Sequence, residues 1–340
     1  MKKVLISGYY GYDNFGDEAI LSVLVDFMKR RNLDTTVLSH NPLKTSRSYG
    51  VKAVKNFNLL QVFVAVLNCN VLLSGGGSLL QDVTSVKSLW YYCFIIWLAL
   101  KLKKDVIIFA QGIGPLLEER SRKMVFGLLS KCKMVTVRDL KSQEYLAKNG
   151  VKSYVVSDPV FSVDLPLNEP EGTVGVQLRS FKTVDELFLF CLAQQVVENF
   201  SDRKIELYVF QESLDYPVCK RFETMLKSLA PDIKTEIIHN VSQNDIIIKI
   251  SKLEYMIAMR FHAVLVAIKT GVKTLAINYD AKVEKLAYDA MLPLLTIAVD
   301  EDWEAPFVKL KELKREELLE FANSQKFEWK YYSKLLKNET

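Results

Sequence analysis

The chain has 340 residues, 49% of them hydrophobic and 25% charged, with a net charge of +5. Its length exceeds what one core usually fills, so two domains are expected, and the composition excludes a disordered or fibrous chain. A mild, dispersed positive charge gives no support to nucleic-acid binding and suits anionic small molecules or an anionic membrane surface. The five cysteines, Cys69, Cys93, Cys132, Cys191 and Cys219, are far apart and lack a CxxC pair. They read as buried thiols in a reducing compartment. The histidines, His40, His239 and His262, show no metal-ligand spacing, so no metal is expected. Met1-Lys2-Lys3 leads straight into a strand-like run rather than a signal peptide, so the expected location is cytoplasmic.

The first strand pattern is Lys3–Ser7, followed by "GYYGYDNFGDEAIL" from Gly8 to Leu21 and a helix over Glu18–Arg31. A dinucleotide fingerprint needs GxGxxG. Here Gly8, Gly11 and Gly16 give GxxGxxxxG, with Asn14 and Asp17 at the tip, where a carboxylate repels a pyrophosphate. Two readings stand: Asp17 and Glu18 cap and charge-match a helix N-terminus, or Asn14 and Asp17 hydrogen-bond a hydroxylated acceptor such as a sugar.

Strands are then expected at Thr35–Ser39, Val71–Ser74, Val106–Ala110, Met134–Val137 and Tyr154–Val156, alternating with helices such as Leu140–Lys148. This alternation predicts parallel βαβ units, with ligand loops at the strands' C-terminal ends. "LLSGGGSLLQD" (Leu72–Asp82) reads as strand, glycine turn and helix, and "FAQGIGPL" (Phe109–Leu116) repeats the device. Between them "LWYYCFIIWLAL" (Leu89–Leu100) is too short to span a bilayer. It suits a buried core helix, and its aromatics also suit a helix lying in a membrane interface. Arg138-Asp139 sits at a strand-to-helix junction, where Asp139 fits a helix cap.

"SDPVFSVDLPLNEPEG" (Ser157–Gly172) has three prolines and four acids and reads as a linker. The alternation then restarts with strands at Thr173–Leu178, Ile205–Phe210, Thr235–Ile238, Tyr255–Ala258 and Thr274–Ile277. Helices fall at Val184–Phe200, Cys219–Leu229, Asn244–Ser251 and His262–Thr270. The expected domains are 1–165, 172–300 and a helical closing segment, 301–340, packed on the body. The fold class is α/β: two Rossmann-like domains facing a cleft, similar to the glycosyltransferase-B architecture. Arg179, Arg260, His262 and Lys282 each follow a strand of the second half. Three permanent cations and one titratable group on one edge match a phosphate plus a carboxylate.

Together "NFGDEAIL", "GGGSLLQD", "QGIGP", "VRD", "SDP", Leu178-Arg179, "RFH" at Arg260–His262 and "YDAKV" at Tyr279–Val283 resemble the polysaccharide pyruvyl transferase family. The type they resemble is the CsaB type, associated with S-layer anchoring. The resemblance runs from Gly8 to about Leu292. It implies phosphoenolpyruvate as donor, no cofactor, and a ketal bridging O4 and O6 of N-acetylmannosamine on a lipid-diphosphate-linked precursor. It further implies donor binding by Arg179, Arg260, Phe261, His262 and Lys282. On the acceptor side stand Asn14, Gly16, Asp17, Gly76, Gly77, Asp82 and Arg138. His262 is the expected proton donor or phosphate partner and Asp17 the expected base. A lipid-linked acceptor would bring the enzyme to the inner membrane face, with Leu89–Leu100 as the peripheral contact. The rivals are a nucleotide-sugar glycosyltransferase of the same fold, with Glu284 as a poor ribose ligand, and a non-catalytic membrane-surface scaffold.

Overall fold

The computed structural model describes residues 1–297 and 302–336. These residues form two compact units. The first holds Met1–Val163 and takes back the chain from Lys326; the second is Asp164–Gln325. The boundary falls inside the proline-rich stretch, where Pro159–Ser162 makes a single 3-10 turn.

The first unit alternates strands and helices in chain order: β1 (Lys3–Ser7), α1 (Phe15–Arg30), β2 (Asp34–Ser39), α2 (Pro42–Tyr49), β3 (Lys52–Lys55), α3 (Leu59–Asn68), β4 (Val71–Gly75), α4 (Val86–Lys101), β5 (Asp105–Gln111), α5 (Glu119–Leu129), β6 (Met134–Val137), α6 (Leu140–Ala147) and β7 (Tyr154–Val155). Among the described residues the strands form one parallel sheet in the order β3-β2-β1-β4-β5-β6-β7. Val4 pairs with Thr35 on one side and Val71 on the other. A parallel sheet is covered on both faces, so its central strands read as continuous apolar runs. Val4, Leu5 and Ile6, and Val71, Leu72 and Leu73, are all at most 1% exposed.

The second unit repeats the plan with β8 (Val174–Gln177), α7 (Glu186–Phe200), β9 (Ile205–Tyr208), α8 (Glu212–Leu229), β10 (Thr235–Ile238), α9 (Gln243–Ile250), β11 (Tyr255–Ala258), α10 (Phe261–Lys269), β12 (Lys273–Asn278), α11 (Ala281–Asp289) and β13 (Leu294–Thr296). Its parallel order is β10-β9-β8-β11-β12-β13. In both units the order reverses beside the first strand, between β1 and β4 and between β8 and β11. Ligands of doubly wound sheets bind at such switch points, outside the carboxyl ends of the strands.

Several expectations need correction. The edge strands β3 and β13 are not among the expected strands; β3, Lys-Ala-Val-Lys, is capped by charge, as edge strands commonly are, and β13 has only three residues. No helix follows Gly77. Gly76 and Gly77 turn left-handed (φ 66° and 72°), Leu80 forms a parallel bridge to Ile113, and the next helix starts only at Val86. The closing segment is not one body. Helices α12 (Glu304–Glu312) and α13 (Arg315–Ser324) belong to the second unit, and α14 (Lys330–Ser333) to the first. In the first unit Tyr332 Oη lies 2.6 Å from Thr136 Oγ1, and Trp329 stacks on Phe27 at 3.9 Å. All five cysteines are free thiols, and burial pushes Cys69 up to about 11 and Cys93, Cys132 and Cys219 up to about 12.

Candidate active site

In the first unit the loops after β1, β4 and β5 share the sheet's carboxyl edge. Helix α1 begins at Phe15, three residues earlier than the sequence pattern suggests, because Asn14 is its cap: the Asn14 Oδ1 accepts from the Gly16 amide at 3.1 Å. Glu18 turns back into the loop rather than serving the helix end. It accepts from the Gly11 amide and the Tyr49 hydroxyl, both at 2.7 Å, and burial raises its pKa. Asp17 is half-buried and lies over the glycine turn: a Cβ at Gly77 would stand 2.7 Å from Asp17 Oδ1, and one at Gly76 would stand 2.6 Å from Ile20 Cγ2. These two glycines let the turn after β4 close onto α1. The Tyr10 phenol is pushed well up by burial and then by the Asp17 charge, so it stays protonated and donates to the Gly75 carbonyl at 3.1 Å.

Two expected acceptor residues are committed to scaffolding. Asp82 is 7% exposed and accepts from the Leu117 and Glu118 amides at 2.7 and 3.1 Å, capping α5 from a distance. Arg138 is buried, not solvated. Its Nη1 is 3.4 Å from Asp158 and its Nη2 donates to Ser78 Oγ at 3.1 Å, so the "GGGS", "VRD" and "SDP" motifs meet in one cluster. Asp139 caps α6 through Ser142 as expected.

Asp82 supplies a pH-dependent prediction. Burial opposes its charge, the two amides outweigh it, and its carboxyl titrates below the usual range. A depressed folded pKa contributes stability above the unfolded value and loses it as pH falls through the folded one. Asp82→Asn keeps one acceptor oxygen. It is expected to lower stability by about 1 kcal/mol at neutral pH, and to flatten its decline between about pH 5 and pH 2. Urea midpoints across that range check this; parallel wild-type and variant curves would refute it.

In the second unit Arg179 follows β8 and Arg260 follows β11, so the two flank the switch point. They are not equivalent. Arg260 is 7% exposed and forms a bidentate pair with Asp215, Nε to Oδ2 at 2.9 Å and Nη2 to Oδ1 at 2.6 Å. Gln211 accepts from Arg260 Nη2 at 3.2 Å, and Gln177 Oε1 accepts from the Arg260 amide at 2.8 Å. Asp215 is fully buried and also accepts from the Phe210 and Gln211 amides and from Gln177 Nε2. Arg260 is therefore a neutralised, built-in group rather than an open anion ligand. The sequence hides this, because Asp215 lies in the first turn of α8 beside Glu212, where acids are common for dipole reasons alone.

Arg179 is different. Among the described residues its guanidinium meets no carboxylate, its buried Nε has no hydrogen-bond partner, and its plane lies 5.9 Å from the Tyr279 ring. Phe181 packs edge-on against the same tyrosine at 5.4 Å. Phe261 and His262 open α10 with their rings perpendicular, 5.2 Å apart. Lys282 is in the first turn of α11, its amide bound to the cap Asp280 and its Nζ 4.0 Å from the same carboxylate. Arg179, Arg260, His262 and Lys282 thus follow three neighbouring strands on one edge, and among the described residues Arg179 is the cation lacking a counter-charge.

Solved structures similar to this chain share its fold. A UDP-GlcNAc 2-epimerase from Methanocaldococcus jannaschii matches with a TM-score of 0.65 at 12% identity, covering 96% of this chain and 95% of that one. The Anabaena protein HepE, in complex with UDP and glucose, gives 0.63 at 12% identity over 96% and 95%. A glycosyltransferase from Rickettsia africae gives 0.61 at 14% identity over 99% of both chains. Both units are Rossmann-like, and the class is the glycosyltransferase-B type. Among curated proteins none matches significantly. The model of the family described as polysaccharide pyruvyl transferase matches residues 14–281, from the cap of α1 to the first residue of α11. With that match covering most of the chain, the chain belongs to the polysaccharide pyruvyl transferase family and is a pyruvyltransferase enzyme.

Proposed function

We propose that the donor is phosphoenolpyruvate and that the acceptor is N-acetylmannosamine on a lipid-diphosphate-linked cell-wall precursor, bridged at O4 and O6 as in the CsaB type. The observation that carries the donor assignment is Arg179, a guanidinium at the β8/β11 switch point that meets no carboxylate among the described residues. Such a group suits a planar carboxylate or a phosphate. Lys282 and His262 supply the remaining charge from the adjoining strand ends, and the Asp215 pair holds the Arg260 backbone and Phe261 in place. On the acceptor side, Asp17 and the Gly76-Gly77 turn are the groups offered to a sugar. Asn14 joins them through its Nδ2, and Asp82 and Arg138 support the loops.

The reaction balances as follows. A proton added at C3 of phosphoenolpyruvate gives C2 oxocarbenium character. One sugar hydroxyl adds to C2 and loses its proton to a base, for which Asp17 is our candidate. The C2–O bond to phosphate breaks, and the second hydroxyl closes the ketal as its proton passes to the departing phosphate. His262 is the candidate donor of the C3 proton because imidazole titrates near neutrality. No step calls for a cofactor, and none calls for a metal.

His262→Ala is expected to lower turnover by at least about a hundredfold with phosphoenolpyruvate and a synthetic lipid-diphosphate-linked acceptor. Phosphate release and the acceptor's gain of a pyruvyl ketal, read by mass spectrometry, check it. Near-normal turnover would remove His262 from the mechanism. A wild-type enzyme inert with this pair but active with a nucleotide sugar would favour the second reading. That reading has the UDP complex of HepE as its support. Against it, Glu284, the acid it would need for a ribose, accepts from Asn278 Nδ2 at 3.3 Å.

A further inference from the structure

Helix α3, Leu-Leu-Gln-Val-Phe-Val-Ala-Val-Leu-Asn, carries no charge. A surface helix ordinarily turns a polar face to water. Here Val62 and Val66 face the core, while Leu60 is 74% exposed, Leu67 48% and Phe63 42%. Helix α4 packs beside it and extends the apolar surface with Trp90, Phe94 and Trp97, which are 39%, 40% and 45% exposed. Spacings of three and four residues place them on one stripe, and exposed Lys87 and Lys101 continue that stripe at its two ends. Apolar patches of this kind mark interaction sites.

The exposed charges carried by α3, α4 and the chain between them have one sign. Between Asn56 and Lys104 the sequence has a single acid, Asp82, which is buried as the α5 cap. The same stretch holds Lys87, Lys101, Lys103 and Lys104, and Arg120 lies 4.6 Å from the Trp90 ring. Among the described residues no helix is long and apolar enough to cross a membrane. A self-complementary dimer would set one lysine rim against another. An anionic lipid surface instead takes lysines at its headgroups and tryptophans at the interface.

We propose that the α3–α4 face docks in the interface of an anionic lipid bilayer, the apolar stripe inserted and the lysines at the headgroups. Both helices begin at the carboxyl edge of the first sheet. Tyr91 Oη donates to the Asn56 carbonyl at 2.8 Å, and Asn56 Nδ2 donates to Tyr12 Oη at 3.1 Å, so the docking face joins the opening turn. That this delivers a lipid-linked acceptor to Asp17 rests on the function proposed above; the docking itself does not.

The test is flotation of the full chain with vesicles of phosphatidylglycerol and phosphatidylcholine in equal parts, and with phosphatidylcholine alone. Binding to the mixed vesicles, weaker on phosphatidylcholine and weakened by salt, is expected. A combined Trp90→Ser, Phe94→Ser and Trp97→Ser variant should lose about tenfold or more in partitioning, and a Lys87→Glu, Lys101→Glu variant about tenfold. More than half of each aromatic is covered, so thermal unfolding of that variant is followed alongside; the lysine pair, which removes no apolar contact, should unfold as wild type does and serves as the check if the aromatic variant misfolds. A wild-type chain that stays with neither vesicle, or variants that float as wild type does, would overturn the proposal. So would sedimentation showing a dimer that the aromatic variant dissolves in the absence of vesicle binding. Flotation needs no turnover, so loss of the pyruvyl reading would leave its result standing.

Discussion

Replacing Arg179 by Met is expected to lower kcat/KM for the donor by about a hundredfold or more. The unfolding midpoint should stay unchanged or rise slightly. Among the described residues this half-buried guanidinium has no counter-ion and an unpartnered Nε, so its contact with the Tyr279 ring is the favourable term it brings to the folded state. Methionine keeps much of the apolar stem and removes the desolvation penalty, as often happens where function and stability pull apart. What is lost is the charge-assisted grip on the donor, so KM should rise, and kcat should fall as well if Arg179 also meets the charge that develops on the leaving phosphate. Parallel measurement of kinetics and thermal unfolding separates the cases. A variant that loses stability with activity would make Arg179 a structural residue.

Asp215→Ala is expected to do the opposite and to lower stability by about 3–5 kcal/mol. Asp215 is fully buried and meets Arg260 through two hydrogen bonds of 2.9 and 2.6 Å. Its removal leaves a buried guanidinium with only Gln211 to meet it, and orphans the Phe210 and Gln211 amides that define the turn into α8. The urea midpoint should drop while its denaturant dependence holds. A double variant, Asp215→Leu with Arg260→Leu, should recover a substantial part of the loss because no unpaired charge remains. Activity should not return with it, since the Arg260 backbone and Phe261 would lose their fixed position. A single Asp215→Ala variant as stable as wild type would show that the pair is not the keystone of this edge. The contrast also bears on experiments at Arg260: its truncation would mix a folding defect with any effect on donor binding, whereas Arg179 reports on binding alone.

The architecture is legible in the sequence where burial on both faces of a parallel sheet writes uninterrupted apolar runs. Lys3–Ser7, Val71–Gly75 and Tyr255–Ala258 are all found where the pattern puts them. The edges are only half legible: β7 and β10 lie where Tyr154–Val156 and Thr235–Ile238 are expected, whereas β3, charged at both ends, and the three-residue β13 leave no pattern. The cation-bearing loops of the second unit are legible because each follows a readable strand. Which cations carry a counter-charge is not, because the answer depends on a residue from another loop. Asp215 on α8 neutralises Arg260, Asp158 pairs with Arg138, and nothing in the local sequence distinguishes these acids from solvated ones. The same holds for Asp82, whose partners, the Leu117 and Glu118 amides, lie some thirty-five residues on. The aromatic run Leu89–Leu100 carries both a core and an interfacial reading: Leu89, Tyr92, Ile95 and Ile96 are buried, as a core helix requires, and Trp90, Phe94 and Trp97 are exposed.

The central claim is that the second unit recognises phosphoenolpyruvate rather than a nucleotide. Calorimetric titration of the wild-type chain with phosphoenolpyruvate, UDP and GDP in turn tests it most directly, with Arg179→Met as the control. Saturable binding of phosphoenolpyruvate that the variant loses is expected, with no binding of either nucleotide. Binding of UDP or GDP without any of phosphoenolpyruvate would contradict it and assign the switch-point arginine to a nucleotide diphosphate.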